Sequence, residues 1–237
     1  MDKKWVLILF ISLFLVLIGG VLFNYFRKKG PESNSELGSL IALPEPAHES
    51  PISIEEALLK RQSIRQYTPE PLTLAEVSQL LWAGQGINRP GGYRTAPSAG
   101  ALYPLELYLI SGNVEQLPAG VYHYQPDTHS LEQVILGDLR ADLSQAALSQ
   151  EAVEEAPAVI LITAIYQRTT GKYGERGIRY VHMEVGSAAE NIYLQAVSLN
   201  MGTVFIGAFH DDQIKRLLNL DDQEQPLSLL PIGKIQP

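Results

Sequence analysis

The chain has 237 residues, 46% of them hydrophobic, a formal net charge of −8 and no cysteine. That length and apolar content suffice for one domain with a real core. The missing cysteine excludes disulfides, thiolate metal ligands and a cysteine nucleophile, and the negative charge argues against a nucleic-acid surface. Histidines at 48, 123, 129, 182 and 210 show no metal-ligand spacing, so no metal site is expected.

The first element predicted is apolar. Trp5 to Phe26 is 22 residues without a charge. As a helix it would measure about 33 Å, against about 30 Å of bilayer hydrocarbon. Trp5 and Tyr25 stand near its ends, where amphipathic rings favour a membrane interface. Arg27-Lys28-Lys29 follows in place of a small-residue cleavage site. Residues 1–29 are therefore expected to form an uncleaved single-span membrane anchor. Residues 30–51, rich in Pro, Ser, Glu and Ala, read as a flexible linker. Residues 52–237 read as the folded domain.

Within that domain, Ser53-Ile54-Glu55-Glu56 is a capping box opening a helix to about Gln62. Thr73-Leu74-Ala75-Glu76 opens a second, with Leu74, Val77, Leu80 and Leu81 on one face and Gly84 expected to end it. Strands are predicted at 105–110, 120–124 and 131–136, the last two joined at Pro126-Asp127-Thr128-His129. A helix over about 138–150 follows. The apolar run 158–164 reads as a central strand buried on both faces. The longest amphipathic pattern runs from Arg179 to Asn200, slim at Gly186, Ser187, Ala188 and Ala189. Strands at 203–206 and 227–232 flank a helix at 211–219. Helices and strands mix without strict alternation, which favours α+β.

Three segments carry candidate chemistry. Arg61, Gln62, Ser63 and Arg65 bring two guanidiniums and a hydroxyl together at a helix end, a set suited to an anion. Pro97, Ser98, Ala99 and Gly100 form a turn with little side-chain bulk, through which backbone amides can approach a ring. Gly202-Thr203-Val204-Phe205-Ile206-Gly207-Ala208-Phe209 ends a strand in small residues ahead of Asp211-Asp212.

In this combination the chain resembles the FMN-dependent nitroreductase family, in particular its azoline-dehydrogenase-like branch. The resemblance covers about residues 53–237, and the stretches from Tyr173 to Glu184 and from Leu229 to Lys234 add to it. It implies a nitroreductase-like fold, a mixed central sheet surrounded by helices. It implies FMN held by Arg61, Gln62, Ser63, Arg65, Pro97, Ser98, Ala99, Gly100, Gly207, Ala208 and Lys234, with Arg65 beside the reduced ring. It also implies a homodimer, in which the 97–100 turn completes the neighbouring subunit's site.

Two departures stand out. The chain stops at Pro237, leaving Lys234 as the one basic residue near that end, and Arg179-Tyr180 stands where peptide azoline oxidases favour Lys-Tyr. An arginine holds its proton near neutral pH, which counts against peptide azoline oxidation but not against flavin binding. The resemblance makes Tyr180 the candidate for catalysis, with Arg179 supplying a field. The expected protein is a membrane-tethered FMN-dependent oxidoreductase moving hydride from NAD(P)H or another donor to an electron-poor acceptor. Its C-terminal domain is expected on the cytoplasmic side of the cell membrane, where FMN is made. No Gly-x-Gly-x-x-Gly fingerprint is present, so the nicotinamide would be a visiting substrate. The alternatives are an azoline dehydrogenase partnered by a cyclodehydratase and a non-catalytic flavin-binding protein.

Overall fold

The computed structural model describes residues 37–236. Its centre is a seven-stranded sheet of β1 (Leu40–Ala42), β4 (Leu105–Ser111), β5 (Gly120–Gln125), β6 (Ser130–Leu136), β7 (Ala158–Ile165), β8 (Met201–Thr203) and β9 (Glu224–Lys234). The strand order is β1-β6-β5-β4-β7-β9-β8. Every pairing in it is antiparallel, which corrects the expected mixed sheet. A small ribbon of β2 (Ile87–Arg89) and β3 (Tyr93–Arg94) stands apart.

The helices are α1 (Ile54–Lys60), α2 (Leu74–Gln85), α3 (Arg140–Ala146), α4 (Glu151–Glu155), α5 (Gln167–Tyr173), α6 (Arg176–Ser198) and α7 (Asp211–Leu218). They cover both faces of the sheet, so an antiparallel strand here is buried on both sides. Strand β7 shows this directly. Ala158, Ile160, Ile162 and Ala164 face one core with α2 and α6, while Val159 and Leu161 face another with α3, α4 and α7.

Several boundaries differ from the sequence expectation. Residues 40–47, read as linker, contain β1, and the Ala47 amide donates to Gln79 Oε1 at 2.7 Å. The Ser78 hydroxyl donates to the Pro44 carbonyl. The helix expected over 138–150 is broken into α3 and α4 by left-handed Leu148 and Ser149, at φ 60° and 59°. Helix α5 and the β2–β3 ribbon were not anticipated, and the strand expected at 203–206 is already complete at Thr203.

The membrane location is also corrected. No helix among the described residues is long and apolar enough to cross a membrane. The Trp5–Phe26 segment on which that expectation rested, and the anchor assigned to residues 1–29, lie outside the described residues.

Gly84 does not end its helix; Gly86 does. At Gly84 an added Cβ would stand 3.0 Å from Leu107 Cδ2 and 3.1 Å from Ile192 Cδ1, so the glycine lets α2 settle between β4 and α6. A branched side chain there forces these neighbours apart. Gly84→Val is expected to lower stability by about 1–3 kcal/mol, read as a fall in the urea midpoint at unchanged slope.

Candidate functional site

The 61–68 segment begins where α1 ends. Arg61 leaves the helix in extended geometry, its amide still bonded to the Ala57 carbonyl at 2.9 Å. The chain then lies along the ends of β8 and β9. Ser63 pairs in parallel with Thr203, the Ile64 amide donates to the Thr203 carbonyl at 2.9 Å, and the Thr68 amide donates to the Lys234 carbonyl at 2.8 Å. Two bare backbones allow this approach. A Cβ on Gly202 would fall 2.7 Å from Ile64, and one on Gly233 would fall 2.6 Å from Tyr67. The Tyr67 hydroxyl donates to the carbonyls of Ile64 and Pro231, at 2.9 and 3.1 Å. Burial, then the nearby Tyr193, keeps that phenol protonated well above its ordinary range, with Arg65 acting in the opposite sense.

Tyr193 of α6 joins this segment to the chain beyond β8. The Phe205 amide donates to its hydroxyl at 2.7 Å, and the same hydroxyl shares a hydrogen bond with Ser63 Oγ at 3.1 Å, in which either oxygen can be the donor. The Arg61 guanidinium lies over the Tyr193 ring, 5.3 Å from its centroid, and 4.0 Å from a Glu190 oxygen. Gln62 and Arg65 are exposed, and no carboxylate among the described residues pairs with Arg65. A cavity of about 570 Å³ lies against residues 62–67, Ile235 and Gln236.

Gly207 and Ala208 are exposed on the strip that leaves β8. A Cβ at Gly207 would meet only the Phe205 ring, at 3.8 Å, so this backbone is open to a planar group. The Ala208 carbonyl accepts from Gln150 Nε2 at 3.1 Å. Lys234 adjoins the site through its carbonyl, while its ammonium lies 3.8 Å from Glu76 and 3.9 Å from Glu70.

The Pro97–Gly100 turn sits elsewhere on the chain. Ser98 Oγ accepts from the Tyr103 amide at 2.9 Å, and Gly100 takes φ 67°. A side chain at Gly100 would collide with Tyr173 Oη at 2.8 Å and Lys172 Nζ at 3.0 Å, both on α5. Tyr180 packs edge-on against Tyr173, with centroids 5.2 Å apart, so the structure does gather Tyr180 with this turn. Arg179, its proposed field, is exposed. Tyr193 and Tyr180 are thirteen residues apart on α6, about 20 Å along the axis. One chain therefore carries Arg61, Ser63 and Arg65 on one segment beside β8 and holds Tyr180, with the Pro97–Gly100 turn, about 20 Å away along α6.

Sequence reasoning missed the residues that support these groups. Tyr193 carried no signal beyond being a tyrosine on an amphipathic helix. Glu184 did carry one, as a charge set among Val181, Val185 and Ala188 on the apolar stripe of α6. Arg168 also went unseen. It pairs with Glu106 at 2.5 Å and donates to the Tyr103 carbonyl at 3.0 Å. Burial would raise the Glu106 carboxyl, but the hydrogen bond from His123 and the charge of Arg168 hold it below the ordinary range.

Fold and site together describe an α+β protein with an arginine-bearing segment against an edge strand. The Nitroreductase family signature matches residues 58–234, and the chain belongs to that family. It is 46% identical over 183 residues to the nitroreductase-like protein MJ1384 of Methanocaldococcus jannaschii, covering 77% of this chain and 91% of that one. The crystal structure of a nitroreductase-like protein from Ralstonia eutropha superposes with a TM-score of 0.74 at 31% identity, covering 86% of this chain and 92% of the other. The microcin B17-processing protein McbC of Escherichia coli is 30% identical over 158 residues, 64% of this chain and 58% of McbC. That similarity supports the azoline-dehydrogenase-like branch.

Tyr193→Phe removes the acceptor for the Phe205 amide and the hydrogen-bond partner of Ser63. A loss of about 1–3 kcal/mol in unfolding free energy is expected, measured by urea denaturation monitored by circular dichroism.

Proposed function

We propose that the chain is an FMN-dependent oxidoreductase that passes hydride from a reduced donor such as NAD(P)H to an electron-poor acceptor. One observation carries this reading within the family. Arg61, Ser63 and Arg65 present two guanidiniums and a hydroxyl from one extended segment, and the strip that leaves β8 has a bare backbone at Gly207. That donor set fits a phosphate monoester, for which forked, charge-assisted bonds are the strong ones. The bare strip at Gly207–Ala208 fits the edge of a flat ring, where any side chain would stand in the way. Bound FMN supplies the reversible two-electron chemistry.

The chain's own residues bind and orient. Arg61 and Ser63 are fixed by Tyr193, so little side-chain freedom is lost when an anion arrives. Arg65 has no carboxylate partner among the described residues, which leaves it available to a phosphate or to a ring that has become anionic. The Pro97–Gly100 turn lies too far along α6 to join this set within one chain, which supports a homodimer whose second copy supplies the turn. Tyr180 and Tyr173 beside that turn would then line the substrate side. The kinship with McbC supports a second reading, in which the acceptor position is taken by an azoline of a ribosomal peptide and a cyclodehydratase acts first.

The protein should purify yellow, and Arg61→Ala combined with Arg65→Ala should weaken FMN binding by several kcal/mol, at roughly 1.5–3 kcal/mol per charge-assisted bond. Titration by flavin fluorescence quenching checks this, and an unchanged affinity refutes the site. Tyr180→Phe is expected to keep its FMN and its bleaching by NAD(P)H while slowing reoxidation by the acceptor. Stopped-flow absorbance separates these steps, and loss of flavin from the variant would show that Tyr180 serves binding instead.

A further inference from the structure

Between α3 and α4 the chain turns a strained corner. Leu148 and Ser149 take consecutive left-handed conformations, at φ 60° and 59°, a region that residues with a Cβ enter only against a steric cost. Neither recovers that cost by burial, since Leu148 is 55% exposed and Ser149 is exposed as well. The backbone around them is nonetheless well bonded. The Ser149 amide donates to the Ser144 carbonyl at 2.8 Å, and the Gln150 carbonyl accepts from the Ser144 hydroxyl and the Val153 amide, each at 3.0 Å.

What the corner delivers is Gln150. Its Nε2 carries two protons and donates to two carbonyls, that of Ala147 at 3.0 Å within the corner and that of Ala208 at 3.1 Å on the strip that leaves β8. The carboxamide oxygen could bond neither, so these partners fix which way round the group sits. Two residues beyond Ala208, the His210 amide donates to the Ala146 carbonyl at 2.9 Å. The corner therefore grips the strip on both sides of Phe209.

This grip sets which way the amides of the strip face. Ile206 exchanges both backbone bonds with Leu229 at 2.9 Å, and the described peptides are trans. In a planar trans peptide the N–H points opposite to the C=O. The Gly207 amide is thus turned away from β9, and the Phe209 amide is turned away from the corner that holds the Ala208 carbonyl. Neither donates to another backbone group among the described residues.

We propose that Gln150 is a positioning residue that fixes the Ala208 carbonyl and so holds the Phe209 amide, together with that of Gly207, as a donor for the acceptor edge of a bound flavin ring. Its flavin role rests on the FMN reading of this strip. The left-handed pair at Leu148 and Ser149 is what brings a side-chain donor to that carbonyl.

Gln150→Met keeps the length of the side chain and removes both donors. In the full chain freed of flavin, the His210 amide should exchange roughly three- to tenfold faster in this variant than in wild type, the range that one hydrogen bond supplies. FMN affinity should fall by a similar factor, and at saturating FMN the visible absorption band of the bound flavin should shift from its wild-type position. Arg61→Ala, which acts on the phosphate, should lower the affinity and leave the band in place. An exchange rate or a band equal to wild type in Gln150→Met overturns the proposal, as does an equal shift in Arg61→Ala. Should Gln150→Met fail to fold, Gln150→Glu, of the same shape and without a donor when ionised, is measured in its place. A wild type that binds no FMN refutes the FMN reading, and the exchange rate then decides alone whether Gln150 holds the strip.

Discussion

The candidate site depends on the absence of two side chains. Gly202 and Gly233 stand next to each other across β8 and β9, and only their bare backbones let Ile64 and Tyr67 lie against the sheet at under 3 Å from where a Cβ would be. With Ile64 seated, the alternation of an extended chain turns Ser63 and Arg65 away from it. Ser63 finds Tyr193, and Arg65 goes to solvent. The chemistry of the segment is therefore set by a packing event on its opposite side. A methyl group at either glycine would displace the segment that carries Ser63 and Arg65.

Helix α6 divides the labour. Its C-terminal half carries Tyr193 and Glu190 beneath Arg61. Its N-terminal part carries Tyr180 under the Pro97–Gly100 turn. The apolar stripe between them packs on α2 and the sheet and keeps the two ends in fixed register.

Much of this was legible in the sequence, for identifiable reasons. The capping boxes at Ser53 and Thr73 located two helix starts because their signal is local, within four residues. The run 158–164 revealed a strand buried on both faces but not its direction. Continuous apolarity reports burial, and here helices cover an antiparallel sheet as completely as they cover parallel ones. Gly84 read as a stop because a glycine in a helix usually weakens it, whereas its reason lay in Leu107 and Ile192, distant in sequence. The same holds for Tyr193 and for the break at Leu148–Ser149. The candidate residues Arg61, Ser63 and Arg65 were visible by type. What holds them in place was not, because each support crosses more than a hundred positions or depends on a missing side chain.

The way Ser63 and Ile64 bond to Thr203 has a consequence for solubility. Strand β8 is an outer strand of the sheet, and an open outer strand offers unpaired amides and carbonyls to any other chain. Here the 61–65 segment lies along it and the Ile64 amide takes the Thr203 carbonyl, so that part of the edge is closed to a foreign strand. Remodelling the 61–65 segment would uncover that part of the rim. The architecture thus couples any change in this segment to the need to keep the rim closed.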